Sequence, residues 1–172
     1  MNNFGLERYG EAVVYGGFMI LNIYSKGRYP ADALSNFAMH KFSFDGFEDI
    51  PCMEAFLQSL KFADVEEQKK VLYLSAKDAK EAGTKQGWDK TLYWKGKAID
   101  RFSKEYMELV WKAYLELYKN DEFRKALKSS GHKILLHTIG RTFRHSTVLT
   151  WWEFTGILTR LRRKMYQDNT KD

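Results

Sequence analysis

The sequence predicts an α+β fold: a single, mostly helical domain over residues 1–172 with a small N-terminal β-sheet. Three observations carry this. Extended, glycine-punctuated runs crowd the stretch before Pro51. Helical periodicity with recognisable caps dominates after it. No repeat, low-complexity linker or composition break marks a second domain.

In order along the chain, "EAVVYGGF" and "MILNIY" are β-rich runs separated by glycines. "KFSFDGFED" alternates Phe42 and Phe44 and turns at Asp45-Gly46, a hairpin signal. From Pro51 the chain turns helical, and the first helix is expected to end near Asp64. "VEEQKKVLYL" follows. "SAKDAKEAG" starts at a Ser75 cap and is expected to stop at Gly83. "KEYMELVWKAYLELYK" places Met107, Val110, Trp111, Tyr114 and Tyr118 at helical spacing behind a Ser103 cap. Asp121 is expected to cap a short helix ending before Gly131. "HKILLHTI" is a candidate buried strand. "TWWEFTGILTRLRRKMY" opens on a Thr150/Glu153 capping box and forms the last helix.

Composition narrows the classes. Aromatics make up 16% of the chain against only 2 prolines, which excludes a disordered polymer. No apolar run approaches the roughly 20 residues of a spanning helix. Glu7, Arg8 and Glu11 interrupt any leader-like stretch, so a cytoplasmic protein without membrane contact is expected. The single Cys52 excludes an internal disulfide framework and fits a reducing compartment. The formal charge of +6 favours anionic partners. Four histidines and one cysteine in no ligand spacing, with no phosphate-loop or dinucleotide glycine pattern, predict neither a metal nor a cofactor.

The first helix carries an unusual stripe. At about 100° per residue, Glu54, Gln58 and Lys61 share one narrow face, flanked by Met53, Phe56, Leu57 and Leu60. Ala55, Ser59, Phe62 and Ala63 fill the rest, leaving no broad solvated face. The polar stripe is therefore expected to face a cavity. Its alternative reading is a structural ion pair or snorkelling side chains.

Several of these segments resemble the signature of the NADAR, or YbiA-like, family. "LSNF" (Leu34 to Phe37), "FDG" (Phe44 to Gly46) and "MEAFLQSLKF" occur in the family's order and spacing, with Tyr24 as the aromatic that ends its first strand. Glu54, Ala55, Phe56, Gln58 and Lys61 match the family's helix motif. "YWKGKAIDR" and "NDEFRKAL" continue the resemblance more weakly. The chain departs from the pattern at "LLHTIG", where His137 stands in a region that carries glutamate and tryptophan-glycine in many members, and at "WWEFTGILTRLR". The resemblance spans roughly residues 20–163.

The resemblance implies an N-glycosidase that cleaves the bond between an anomeric ribose carbon and a base. It implies as partner an ADP-ribosylated nucleotide or nucleic acid, with guanine as the leaving base, or alternatively phosphorylated ribosylamino-pyrimidines of early riboflavin synthesis. A module that binds ADP-ribose or nucleic acid without cleaving it is the other class. Cleavage develops positive charge on the sugar, which Glu54 is placed to stabilise. Lys61, if kept dry, is a candidate nucleophile. Gln58 and Asn36 are candidate ligands of ribose hydroxyls, Asn36 reading equally well as a turn residue. Phe37 and Trp94 read either as flat faces for a base or as core. Arg101 reads as a phosphate clamp or as a solvated helix-start residue. His137 is placed with the candidate substrate contacts, although a histidine in an apolar run defaults to the core. "RLRRK" (Arg160 to Lys164) reads as a solvated helix end or as a grip on nucleic acid.

Overall fold

The structure is a computed structural model that describes Arg8–Tyr9, Ala12–Tyr15 and residues 18–169. Glu7, Glu11 and the Gly16-Gly17 pair lie outside the described residues. Strands β1 (Arg8–Tyr9), β2 (Ala12–Tyr15) and β3 (Phe18–Asn22) run antiparallel in sequence. Strand β8 (Ile134–Leu136) joins β3 in parallel, with Ile20 opposite Ile134, so the sheet is completed by the C-terminal half of the chain. Two hairpins stand apart from it. The first pairs β4 (Phe42–Phe44) with β5 (Phe47–Ile50). The second pairs β6 (Thr91–Trp94) with β7 (Lys97–Asp100). Both turn through two residues in left-handed backbone, Asp45-Gly46 and Lys95-Gly96, the geometry that matches strand twist.

Six α-helices complete the described chain: α1 (Met53–Ser59), α2 (Val65–Leu72), α3 (Ala76–Gln86), α4 (Lys104–Leu117), α5 (Asp121–Ser129) and α6 (Trp151–Asn169). The α+β class read from the sequence holds. Every residue of α1 is buried, as expected of a helix lacking a polar face. It packs against α2, α3, α4 and β5. The core runs from Met53, Phe56, Leu57 and Leu60 through Tyr106, Val110 and Tyr114 to Phe154, Leu158 and Leu161 of α6.

Three boundaries differ from the sequence reading. The first helix stops at Ser59, well short of Asp64. The carbonyls of Ser59 and Phe62 accept from the Gln68 side-chain amide, and the Leu60 carbonyl accepts from the Tyr93 amide at 2.7 Å, so the later turns have better partners than helical N–H groups. Asp64 instead caps α2, accepting from the Glu67 amide. Helix α3 runs through Gly83 to Gln86 and ends at Gly87, whose φ of 61° supplies the left-handed exit. The cap of α5 is Asn120, not Asp121: its Oδ1 accepts from the amides of Glu122 and Phe123. The predicted caps Ser75 and Ser103 are in place.

Candidate active site

A cavity of about 350 Å³ opens between α1, the loop before β4 and the segment that joins β8 to α6. Glu54, Leu57 and Gln58 form its α1 wall; Ser35, Asn36 and Phe37 form a second; Lys80 reaches in from α3. His137, Arg141, Thr147, Thr150 and Phe154 close the far side. The stripe on the first helix thus faces a cavity through Glu54 and Gln58.

The N-terminus of α1 has no side-chain cap, because Cys52 supplies none. The Asn36 carbonyl fills that role, accepting from the Glu54 amide at 2.9 Å. Asn36 also accepts a bond on Oδ1 from the Tyr114 hydroxyl at 2.6 Å, which leaves Nδ2 as the donor it can offer a ligand. Burial pushes the Tyr114 phenol well above its usual range, so it remains the protonated donor in that bond. Asn36 therefore fixes the helix start and lines the cavity at once.

Glu54 is only 5% exposed. Its Oε1 accepts from Gln58 Nε2 at 2.8 Å and lies 3.2 Å from Lys80 Nζ. A buried carboxylate is tolerable here because both an amide and an ammonium face it. The other end of Gln58 presses on α3: a Cβ placed on Gly83 would stand 2.0 Å from Gln58 Oε1. That oxygen is buried and has no partner among the described residues. Gln58 thus lines the cavity with its amide nitrogen bonded to Glu54 and its amide oxygen set against the α3 backbone.

Lys61 is placed behind this wall. Beyond the end of α1 its Nζ donates to the Gly83 carbonyl at 2.8 Å. It borders a separate depression with Gln86, Trp88 and Tyr93. Burial, reinforced by the nearby Lys80 charge and opposed by Glu54, lowers its pKa to about 8.

His137 and Phe37 do line the cavity. The His137 Nδ1–H donates to the Ile23 carbonyl at 2.6 Å, and the ring meets Phe154 edge-on. Gly140 lies against it; a Cβ there would stand 2.5 Å from His137 Cδ2, so the loop can turn beside the ring only with glycine.

Two residues expected at the site are elsewhere. Trp94 packs among Phe44, Phe47 and Phe56, and its Nε1–H donates to Asp45 Oδ2 at 2.7 Å, tying the two hairpins together. It offers no face to the cavity because the aromatic core claims both its area and its polar edge. Arg101 is 0% exposed and is not a phosphate clamp. Its guanidinium forks onto both oxygens of Glu153, while its Nε donates to the Thr147 carbonyl at 2.9 Å. Glu153 meanwhile completes the expected capping box with Thr150 and accepts from Arg144 Nε at 2.8 Å. Burial pushes the Glu153 carboxyl up, but the bonds from Arg101 and Thr150 outweigh it and hold it below the usual carboxylate range. Arg101 thereby acts on the cavity from behind, anchoring the 147–150 segment that lines it.

Lys80 and Arg141, the two cations on the cavity wall, escaped the sequence reading. Lys80 sits on a charged helix among other lysines, and Arg141 in a loop whose fold no local pattern fixes. The only signal was the net basic charge.

Residues 28–163 match the protein family described as Bacteriophage protein GP30.3. The 17.1 kDa protein in the Gp30-rIII intergenic region of Enterobacteria phage T4 is 39% identical over 147 residues, covering 83% of this chain and 96% of that protein. Among solved structures, that of the E. coli protein YbiA superposes with a TM-score of 0.64 over 89% of this chain and 88% of that one, at 17% identity. The YbiA-like resemblance is thereby borne out at the level of the fold. By the match along 28–163 and the phage T4 relative together, the chain belongs to the bacteriophage protein GP30.3 family.

Proposed function

We propose that this protein is an N-glycosidase that hydrolyses the bond between a phosphate-bearing ribose and its base, with ADP-ribosylated guanine as the substrate. One observation carries the reading: a buried carboxylate, Glu54, is held on the wall of a cavity that also presents Lys80 and Arg141. The acid suits a sugar that gains positive charge as the base departs. The two cations suit the phosphates attached to it. In the reaction the C–N bond breaks and its electron pair leaves with the base, which takes up a proton. Water adds its oxygen to the anomeric carbon and gives a proton to Glu54. Gln58 keeps the carboxylate oriented, and Asn36 Nδ2 is the donor offered to a sugar hydroxyl.

A second route, attack by the Lys61 amine to give an imine, is favoured by its lowered pKa. With a pKa of about 8, roughly a tenth of the amines are neutral at pH 7. This route requires Lys61 to exchange the Gly83 carbonyl for the cavity. The deciding assay follows base release from an ADP-ribosylated guanine nucleotide and oligonucleotide, and from ribosylamino-pyrimidine phosphates. Guanine release from the first pair is expected. No release from any of them overturns the enzyme reading in favour of a binding module. Borohydride added during turnover separates the routes, since only the imine is trapped on Lys61.

A further inference from the structure

The surface around the cavity mouth has a composition unlike the rest of the chain. Residues 139–163 hold five arginines against a single carboxylate, Glu153, a net +4 within a chain whose total is +6. That carboxylate is buried, so the arginines set the field outside. Within this segment the arginine ion pairs are confined to Arg144, with Glu153; Arg141, Arg160 and Arg163 meet no carboxylate among the described residues.

Flat side chains are interleaved with these charges. Phe143 is 63% exposed and stacks on the exposed His145, with ring centroids 5.5 Å apart and planes within 17°. Trp152, also exposed, donates from Nε1 to the Thr142 carbonyl, which sets it beside that stacked pair. Beyond Trp152 a groove of about 370 Å³ runs along α6 past Gly156 to Arg160 and Arg163. Nothing stands within 4 Å of a Cβ on Gly156, so the helix backbone is bare at the groove floor. Arg141 belongs to the cavity wall itself and links the two regions.

We infer that this surface, from Arg141 through Phe143, His145 and Trp152 to Arg163, is a landing strip for a single strand of nucleic acid. Cations that no carboxylate neutralises track phosphates, Arg160 doing so from over the Trp111 ring, and exposed aromatic faces accept unpaired bases whatever their identity. A duplex hides its base faces, and an acidic protein has no use for the stacked pair. The inference rests on the glycosidase reading in one respect, that the strand delivers its modified base to the cavity; the strip itself stands on charge and aromatic exposure.

The test uses the full chain and an unmodified, fluorescein-labelled oligodeoxythymidine of about 20 nucleotides, followed by anisotropy. Because the strand is unmodified, the result is independent of whether any bond is cleaved. Binding that weakens at least about tenfold between about 50 and 200 mM salt is expected. Arg163→Glu and, separately, Phe143→Ala are each expected to weaken it about tenfold while melting as the parent does. A parent that does not bind overturns the inference. So do variants that bind as the parent does, or polyglutamate competing as well as unlabelled oligonucleotide.

Discussion

Gly83 and Gln58 occupy each other's space: the glycine lacks the one carbon that would stand 2.0 Å from the glutamine's Oε1. Glycine inside a helix costs about 1 kcal/mol relative to alanine. Here it is kept because the α3 backbone must approach the residue that steers Glu54. Gly83→Ala is therefore expected to destabilise the fold by about 1–3 kcal/mol despite its better helix propensity. Adding Gln58→Ala should cost less than the two single changes combined. Thermal melting of the three variants checks this, and a Gly83→Ala protein that melts above the parent sinks it.

Glu54→Gln keeps shape and hydrogen bonding but removes the charge facing Lys80. Losing such a preorganised electrostatic interaction costs on the order of 10²–10³ in rate. The melting temperature should change little by comparison. Base release at the parent rate would make Glu54 a structural partner of Lys80.

Lys61 gives a stability signature with a definite sign. Burial first, then the Lys80 charge, lowers its pKa to about 8, against a value of about 10.4 in the unfolded chain. Below pH 8 the fold carries the full penalty of the buried cation. Between pH 8 and about 10.4 the folded chain gives up a proton that the unfolded chain retains, so this residue's contribution to stability rises with pH. Lys61→Met lacks that rise. Denaturant titrations of both proteins across the window should show the parent gaining on the variant; a constant gap would refute the lowered pKa.

Breaking the buried Arg101–Glu153 pair with Arg101→Met is expected to cost about 3–5 kcal/mol, because the carboxylate stays buried with fewer donors. Arg144→Met, at a more exposed partner of the same acid, should cost less. Glu153 is held below the ordinary carboxylate range, so the stability it supplies is present above that range and lost as pH falls through its folded value. Glu153→Gln should flatten this acid limb. Acid-induced unfolding of the three variants provides the comparison.

Trp94→Phe removes the Nε1–Asp45 bond while keeping most of the ring packing. That bond, followed by Lys95, is what lowers the Asp45 carboxyl below its usual value. A loss of about 1 kcal/mol is expected. Base release should be unchanged, and a strong loss of turnover without a loss of stability would return Trp94 to the site.

What was legible in the sequence was local. The Asp45-Gly46 turn, the Ser75 and Ser103 caps and the Thr150/Glu153 box depend on residues within four positions of one another, and all are present. The cavity-facing Glu54 followed from a run, Met53 to Ala63, that leaves a helix no broad solvated side, and every residue of the helix that forms is buried. What failed depended on distant partners. Gln68 and Tyr93 end α1 early and carry Lys61 behind the wall. Glu153 lies 52 residues from the Arg101 it engages, and Asp45 lies 49 from Trp94. No spacing rule reaches across such gaps.

The parallel pairing of β3 with β8 sets when the cavity comes into being. His137 is held by the Ile23 carbonyl, 114 residues earlier, and the cavity's lining is drawn from residues as far apart in the chain as Ser35 and Phe154. Contacts this far apart are made late and are lost when the whole molecule opens. A nascent or nicked chain ending before β8 therefore has α1 and its carboxylate but nothing opposite them. Occupancy of the cavity by a ligand reports on finished molecules alone, which makes it a titration of correctly assembled protein.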